Sequence, residues 1–183
     1  MSEELIIRHC SPTLAGIKTG NLFSCTFTTT KQLHADIRTL NRRLSHKGLL
    51  IMLLRIKNDR ALIYVYRPSK LKSDLSRKDV TDILAEYGYN ADNPVNCVSQ
   101  LQTRLNMFDD FPHEIGLFLG YPAEDVRGFI ENGSHNSKCV GCWKVYGDVD
   151  KAKVLFAKYK KCTEIYVQKF SCGSSLDHLT VAI

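Results

Sequence analysis

Two segments of the chain place their hydrophobic residues three or four positions apart, which is the spacing of an amphipathic helix. The first predicts a helix over residues 31–47, and the second predicts a long helix over about 149–170. Shorter patterns, with capping and stop residues, predict further helices over 3–9, about 74–87, 94–108, 112–119 and 122–130. The chain is therefore predicted to be rich in helices.

Short apolar runs that are rich in β-branched and aromatic residues predict strands over 22–27, 49–56, 61–67 and 142–146. The second and third runs flank the turn-forming residues 57–60, which predicts a hairpin. Helices and strands do not alternate strictly along the chain. We therefore expect an α+β fold: a single domain over 1–183, with a small, mostly antiparallel sheet of about four strands covered by six or more helices.

The composition is that of a folded globular protein, with 44% hydrophobic and 24% charged residues, and it excludes a disordered tail or a collagen-like repeat. The net charge of +6 is unevenly distributed. Residues 38–72 hold ten Lys and Arg against one acid, residues 73–131 hold four against eleven, and residues 138–169 hold eight against three. The charge pattern predicts a segregated surface.

The longest apolar run, residues 48–54, is too short to span a bilayer, and the N-terminal region carries no export signal. We expect a cytoplasmic protein without a membrane partner. The chain has seven cysteines. Because this number is odd and no export signal is present, we expect free thiols in a reducing compartment, most of them small core residues.

The segment His113-Glu114-Ile115-Gly116 is the best candidate for a functional site. It is expected in the first turn of a short helix, where amide donors favour an anionic ligand and keep the histidine neutral. A neutral His113 could act as a base, a metal ligand or a hydrogen-bond partner. Gly116 would let either a ligand or a neighbouring helix approach the backbone closely. The alternative is that the segment only caps and packs.

Cys139 and Cys142 have the spacing of a zinc knuckle or a redox dithiol. A structural zinc site needs four ligands, commonly a second such pair, and the candidates for the other two are His135, Cys162 and Cys172. Cys162 is expected on the apolar face of the long helix, so the pair is a weak metal candidate. The alternative is two incidental thiols.

Cys10 and Cys25 are candidate nucleophiles for a thiol-dependent enzyme, which would need His113 as its base. No known protease or transferase signature surrounds either cysteine. Whether the protein is an enzyme stays open at this point.

The helices over 31–47 and 149–170 each carry basic residues away from their apolar stripe. Such faces are usually solvated, and the acidic middle of the chain argues against a continuous cationic surface, which disfavours nucleic acid as a partner. The alternative is a charged adaptor that binds a protein or a nucleic acid.

Three motifs carry a resemblance to a known family. They run from Cys10 to Lys18, from Phe111 to Val126 and from Trp143 to Asp148. Together they resemble the clostridial domain of unknown function family 3793, an uncharacterised family of anaerobic Gram-positive bacteria. The resemblance implies a loose association with iron and redox physiology, and it places an aromatic residue where this chain has Cys142.

These observations together predict a non-enzymatic ligand-binding or accessory protein linked to anaerobic iron and redox physiology. Its ligand would be a small anion or an iron-linked cofactor, with zinc as a further cofactor candidate and a protein as a further partner. The candidate ligand-binding residues are Lys18, His113, Glu114, Gly116 and Trp143.

Overall fold

Helices and strands do not alternate strictly along the chain, as the sequence predicts. The computed structural model describes residues 1–90, 93–108 and 110–183. The described helices are α1 (Glu3–Leu14), α2 (Thr30–Leu44), α3 (Pro68–Leu75), α4 (Lys78–Glu86), α5 (Pro94–Met107), α6 (Ile115–Phe118), α7 (Ala123–Asn132), α8 (Val149–Ser171) and α9 (Leu176–Leu179). The described strands are β1 (Gly20–Thr26), β2 (Leu50–Lys57), β3 (Arg60–Tyr66), β4 (Cys139–Val140) and β5 (Lys144–Val145). The fold is α+β.

The predicted hairpin is formed by β2 and β3, and β1 pairs with the other side of β3 to give an antiparallel sheet in the order β1–β3–β2. Asn58 and Asp59 make the tight turn, with φ values of 51° and 56°. Asparagine and aspartate tolerate this left-handed region better than most residues, which explains why the turn falls there. β4 and β5 form a separate two-stranded ribbon.

The chain divides into two compact units: unit 1 comprises Met1–Ser69 and Lys161–Ile183, and unit 2 comprises Lys70–Lys160. The divisions fall within helices α3 and α8. That residues 1–183 form one domain stays a prediction.

The core of unit 1 is built by the hydrophobic stripe of α2, the buried face of the three-stranded sheet and helices α1 and α9. The stripe is the predicted one, with Leu33, Ile37, Leu40 and Leu44 all buried. Asn41 on the same helix exchanges two hydrogen bonds with the main chain of Ile51 in β2, each 2.8 Å long. Helix α2 is therefore fixed to this strand by polar as well as apolar contacts.

Arg67 follows β3 and is fully buried in unit 1. Its Nε donates to the carbonyl of Thr13 at 2.8 Å, and its two Nη atoms donate to the carbonyls of Lys47 and Leu14, each at 2.6 Å. Thr13 and Leu14 end helix α1, and their carbonyls also accept from Gly16 N (3.1 Å) and Val181 N (3.0 Å), so the guanidinium adds a further bond to each. Burial lowers the pKa of Arg67 from its usual value.

Helix α1 is longer than predicted, because it continues through Pro12 to Leu14 instead of ending near residue 9. Proline removes one main-chain donor, but the bond from Ala15 N to Ser11 O (2.8 Å) and the contacts of Arg67 hold the last turn. The predicted helix over 74–87 is in fact the shorter α4, preceded by the unpredicted α3. Helix α9 was not predicted either.

Within the described residues, no helix combines the length and the apolar character that a membrane span requires.

Candidate functional site

Glu114 is the centre of the candidate site in unit 2, and its side chain is 1% exposed. Its Oε1 accepts a hydrogen bond of 2.8 Å from Arg104 Nε and one of 3.0 Å from the hydroxyl of Tyr89. A buried carboxylate requires such partners, because its charge is otherwise destabilised by the loss of water. Burial and the neighbouring Glu114 raise the pKa of Tyr89 far above its usual value, so this phenol stays a donor.

Arg104 lies on α5 and points its guanidinium among aromatic rings. Its Cζ is 5.3 Å from the ring centroid of Tyr87 and 5.7 Å from those of Tyr89 and Phe108. These distances are within the range of cation–π interactions. Helix α5 is set by Asn93, whose side chain accepts from the N–H of Val95 at 3.0 Å, as the sequence Asn-Pro predicts.

The donors of Arg104 are unequally used. Nε is taken by Glu114, Nη1 makes only a long bond of 3.5 Å to the carbonyl of Tyr87, and Nη2 has no acceptor within the described part of the chain. The side chain is 30% exposed. Glu114 therefore holds Arg104 by one nitrogen, and part of the arginine side chain stays exposed.

An open cleft of about 450 Å³ lies at this place in unit 2. The described residues that line it are Tyr87, Arg104, Phe108, Asp110, Phe111, Pro112, His113 and Glu114. Two of the predicted ligand-binding residues, His113 and Glu114, thus share one cleft. The other residues of the cleft were not predicted.

His113 is exposed, and its ring meets the ring of Phe129 edge-on at 4.8 Å between centroids. The helix after it is only the four-residue α6 rather than the predicted helix over 112–119. Three amides of this turn are used within it, because Ile115 N donates to Pro112 O, Gly116 N to His113 O and Leu117 N to Glu114 O. Anion binding by the amides at the start of this helix stays a prediction.

Gly116 is buried at a close contact with helix α7. A Cβ at this position would lie 2.8 Å from Cγ2 of Val126 and 3.1 Å from Cδ2 of Tyr121. The neighbouring helix takes the space that the sequence left open for either a helix or a ligand.

Trp143 is buried in a second cluster of unit 2, outside the described lining of the cleft. Its Nε1 donates to Oδ2 of Asp125 at 2.7 Å, its ring stacks on Tyr121 with 4.6 Å between centroids, and it meets Phe156 edge-on at 4.5 Å. These contacts account for Trp143 by packing and hydrogen bonding.

Cys139 lies in β4, and Cys142 lies in the exposed turn that leads to β5. In the ranges 1–90, 93–108 and 110–183, no group of three or more His, Cys, Asp or Glu side chains is placed to hold a metal ion. Metal or redox chemistry at this cysteine pair stays a prediction.

Cys10, Lys18 and Cys25 belong to unit 1, whereas His113 belongs to unit 2. Both cysteines are buried in the core of unit 1, and burial raises the pKa of each thiol. The reactive thiolate is thereby disfavoured at neutral pH. Lys18 is buried as well, and its Nζ donates to the carbonyl of Gly20.

The basic residues of α2 that avoid its apolar stripe are exposed, among them Lys31, Arg38 and Arg42. Arg43 differs, because it pairs with Glu3 at 2.7 Å and with Asp177. These exposed basic residues are the surface that a charged adaptor would use, and the adaptor hypothesis stays a prediction.

Sequence reasoning missed Arg104, Tyr87, Tyr89 and Phe108. The available signal was a lone arginine ten residues before the Glu114 motif, within an acidic segment that has only four basic residues. An isolated cation in such a segment is a candidate for a specific carboxylate partner.

Fold and site together define an α+β protein with an arginine–glutamate pair in an aromatic cleft. Residues 6–180 match the family described as "Protein of unknown function (DUF3793)". The chain belongs to this family, which confirms the resemblance drawn from its motifs. No curated protein and no solved structure shows a significant match to it.

Proposed function

We propose that this protein is a non-enzymatic binding protein whose cleft around Arg104 holds a small anionic ligand. The observation that carries the proposal is the state of Arg104, which lines the cleft with one nitrogen on a buried carboxylate and, among the described residues, only one long bond of 3.5 Å on the other two. A guanidinium fixed in this way presents a planar pair of donors, which fits the two oxygens of a carboxylate or a phosphate.

The predicted thiol enzyme is less well supported, because Cys10 and Cys25 are buried thiols of unit 1 and the cleft is lined by residues of unit 2. The link to iron and redox physiology depends on the family resemblance alone and stays a prediction. So does the cytoplasmic location.

The test is a titration of the ¹⁵N-labelled protein with sodium acetate, inorganic phosphate and benzoate, followed by NMR. We expect chemical-shift changes at Tyr87, Arg104 and His113 that saturate with at least one of the three anions. Arg104→Lys keeps the positive charge but loses the planar fork, so it should weaken binding at least about tenfold. Arg38→Lys, on the exposed face of α2, is the matched control and should bind like the parent protein. Shift changes that scatter over both units, or that persist in Arg104→Lys, would overturn the proposal.

A further inference from the structure

The cleft exposes two aromatic rings beside its arginine. Phe108 is 56% exposed and Phe111 is 39% exposed, and both belong to the lining of the cleft. Large apolar rings gain free energy when another surface removes them from water, and aromatic faces and edges favour contact with a second ring. A ligand with a flat unsaturated ring would use this surface, whereas a bare inorganic anion would not.

The charge of the cleft limits the charge of the ligand. The positive charge of Arg104 is balanced by the buried Glu114, and the described lining adds the carboxylate of exposed Asp110. His113 and Tyr87 are the other titratable groups of the described lining. A dianionic phosphate would add two negative charges beside Asp110, whereas a carboxylate adds only one. Like charges within one cleft repel, so the singly charged ligand is favoured.

We infer that the cleft binds a planar monocarboxylate, that is, an aromatic or conjugated carboxylic acid. The carboxylate oxygens accept from Nη1 and Nη2 of Arg104, and the ring packs against Phe108 and Phe111. This inference rests on the proposed function, since it names the ligand class of the same cleft.

The experiment compares four probes by isothermal titration calorimetry: benzoate, acetate, AMP and inorganic phosphate. Benzoate and acetate share the carboxylate and differ in the ring, while AMP combines a ring with a doubly charged phosphate. We expect benzoate to bind about tenfold more tightly than acetate, from its contacts with two rings. AMP and phosphate should both bind more weakly than benzoate.

Three variants assign these differences to residues. Phe108→Ala should remove most of the advantage of benzoate over acetate. Met107→Ala, which removes the neighbouring exposed side chain on α5, is the matched control and should leave all four affinities unchanged. Asp110→Asn should strengthen the binding of phosphate by about threefold, because one like charge is removed.

The outcomes separate the two proposals. Equal affinities for benzoate and acetate, or tighter binding of AMP than of benzoate, would overturn the planar monocarboxylate and leave the anion-binding cleft standing. If none of the four probes binds, the proposed function itself fails.

Discussion

Two arginines show how this chain uses the same side chain in opposite ways. Arg67 in unit 1 is fully buried, and all three of its nitrogens donate to main-chain carbonyls. Arg104 in unit 2 is 30% exposed and gives one nitrogen to a buried carboxylate. A guanidinium whose three nitrogens all donate within the protein stabilises the fold, whereas one with less used nitrogens can bind a ligand. What a basic residue does therefore depends on its unused donors more than on its charge.

The largest expected effect comes from Arg67→Met, which keeps a long apolar side chain but removes all three hydrogen bonds. At about 1 kcal/mol net for each bond, the free energy of unfolding should fall by about 3 kcal/mol. Urea denaturation followed by circular dichroism measures the loss. The free energy of unfolding of Arg67→Lys, which has one nitrogen in place of three, should lie between those of the parent and Arg67→Met. If the methionine variant does not fold, the lysine variant takes its place in the test. A loss below about 1 kcal/mol in Arg67→Met would contradict the structural role of this arginine.

Glu114→Gln tests Arg104, the second arginine of the comparison, by changing the carboxylate that holds it. The amide can accept a hydrogen bond but no longer balances the charge of Arg104, so we expect a loss of about 2 kcal/mol in the free energy of unfolding. The same variant should bind benzoate more weakly, because Arg104 is less firmly held. Glu131→Gln is the control, since Glu131 is exposed on α7 and makes only a 3.9 Å ion pair with Arg127. Similar losses in the two variants would mean that the buried pair has no special role.

Tyr89→Phe tests the surroundings of Glu114 through the pH dependence of the free energy of unfolding. The pKa of Tyr89 in the folded protein lies above its usual value of about 10, because burial and Glu114 disfavour the phenolate. Its contribution to stability is therefore complete below pH 10, and it declines as the pH rises further, when the unfolded chain loses the proton and the folded chain keeps it.

The measurement is the free energy of unfolding between pH 9 and pH 11.5, in about half-unit steps. Above pH 10 the parent should lose stability more steeply than Tyr89→Phe, by up to about 1.4 kcal/mol per pH unit. Tyr121 and Tyr159, whose pKa values burial raises to about 12, contribute equally to both proteins. Parallel pH profiles for parent and variant would show that Tyr89 ionises as freely as in the unfolded chain.

The smallest effect is expected at the exposed arginines of α2. Replacing Arg38 and Arg42 together with alanine should change the free energy of unfolding by less than about 0.5 kcal/mol, because neither side chain is buried. Urea denaturation of the double variant checks this. If the double variant lost as much free energy of unfolding as Arg67→Met, the number of hydrogen bonds that an arginine donates would not explain its contribution to stability.

Local sequence patterns predicted the parts of the fold that depend on local forces. The apolar stripe of α2, the turn at Asn58 and Asp59 and the cap at Asn93 all lie where periodicity or residue type indicated. The predicted end of α1 was wrong, because the last turn of this helix is held by Arg67, which lies 53 residues after Leu14 in the chain. No local pattern contains such a contact.

The candidate site shows the same division. His113 and Glu114 were recognisable as a motif, and the structure places both in the cleft. The partners of Glu114 were not recognisable from the sequence. Tyr89 and Arg104 lie 25 and 10 residues before Glu114 and contact it only because the elements pack together. Anion binding by the amides near His113 stays a prediction, although tight turn bonds use the amides of Ile115, Gly116 and Leu117.

Asn41 has a consequence beyond the stability of unit 1. Strand β2 is an edge of its sheet, and an uncovered edge can template the addition of a strand from another molecule. The carboxamide of Asn41 bonds both the N–H and the carbonyl of Ile51, as a neighbouring strand would. One side chain thus occupies the donor and acceptor of Ile51, which a strand from another molecule would need in order to pair with β2 at this point.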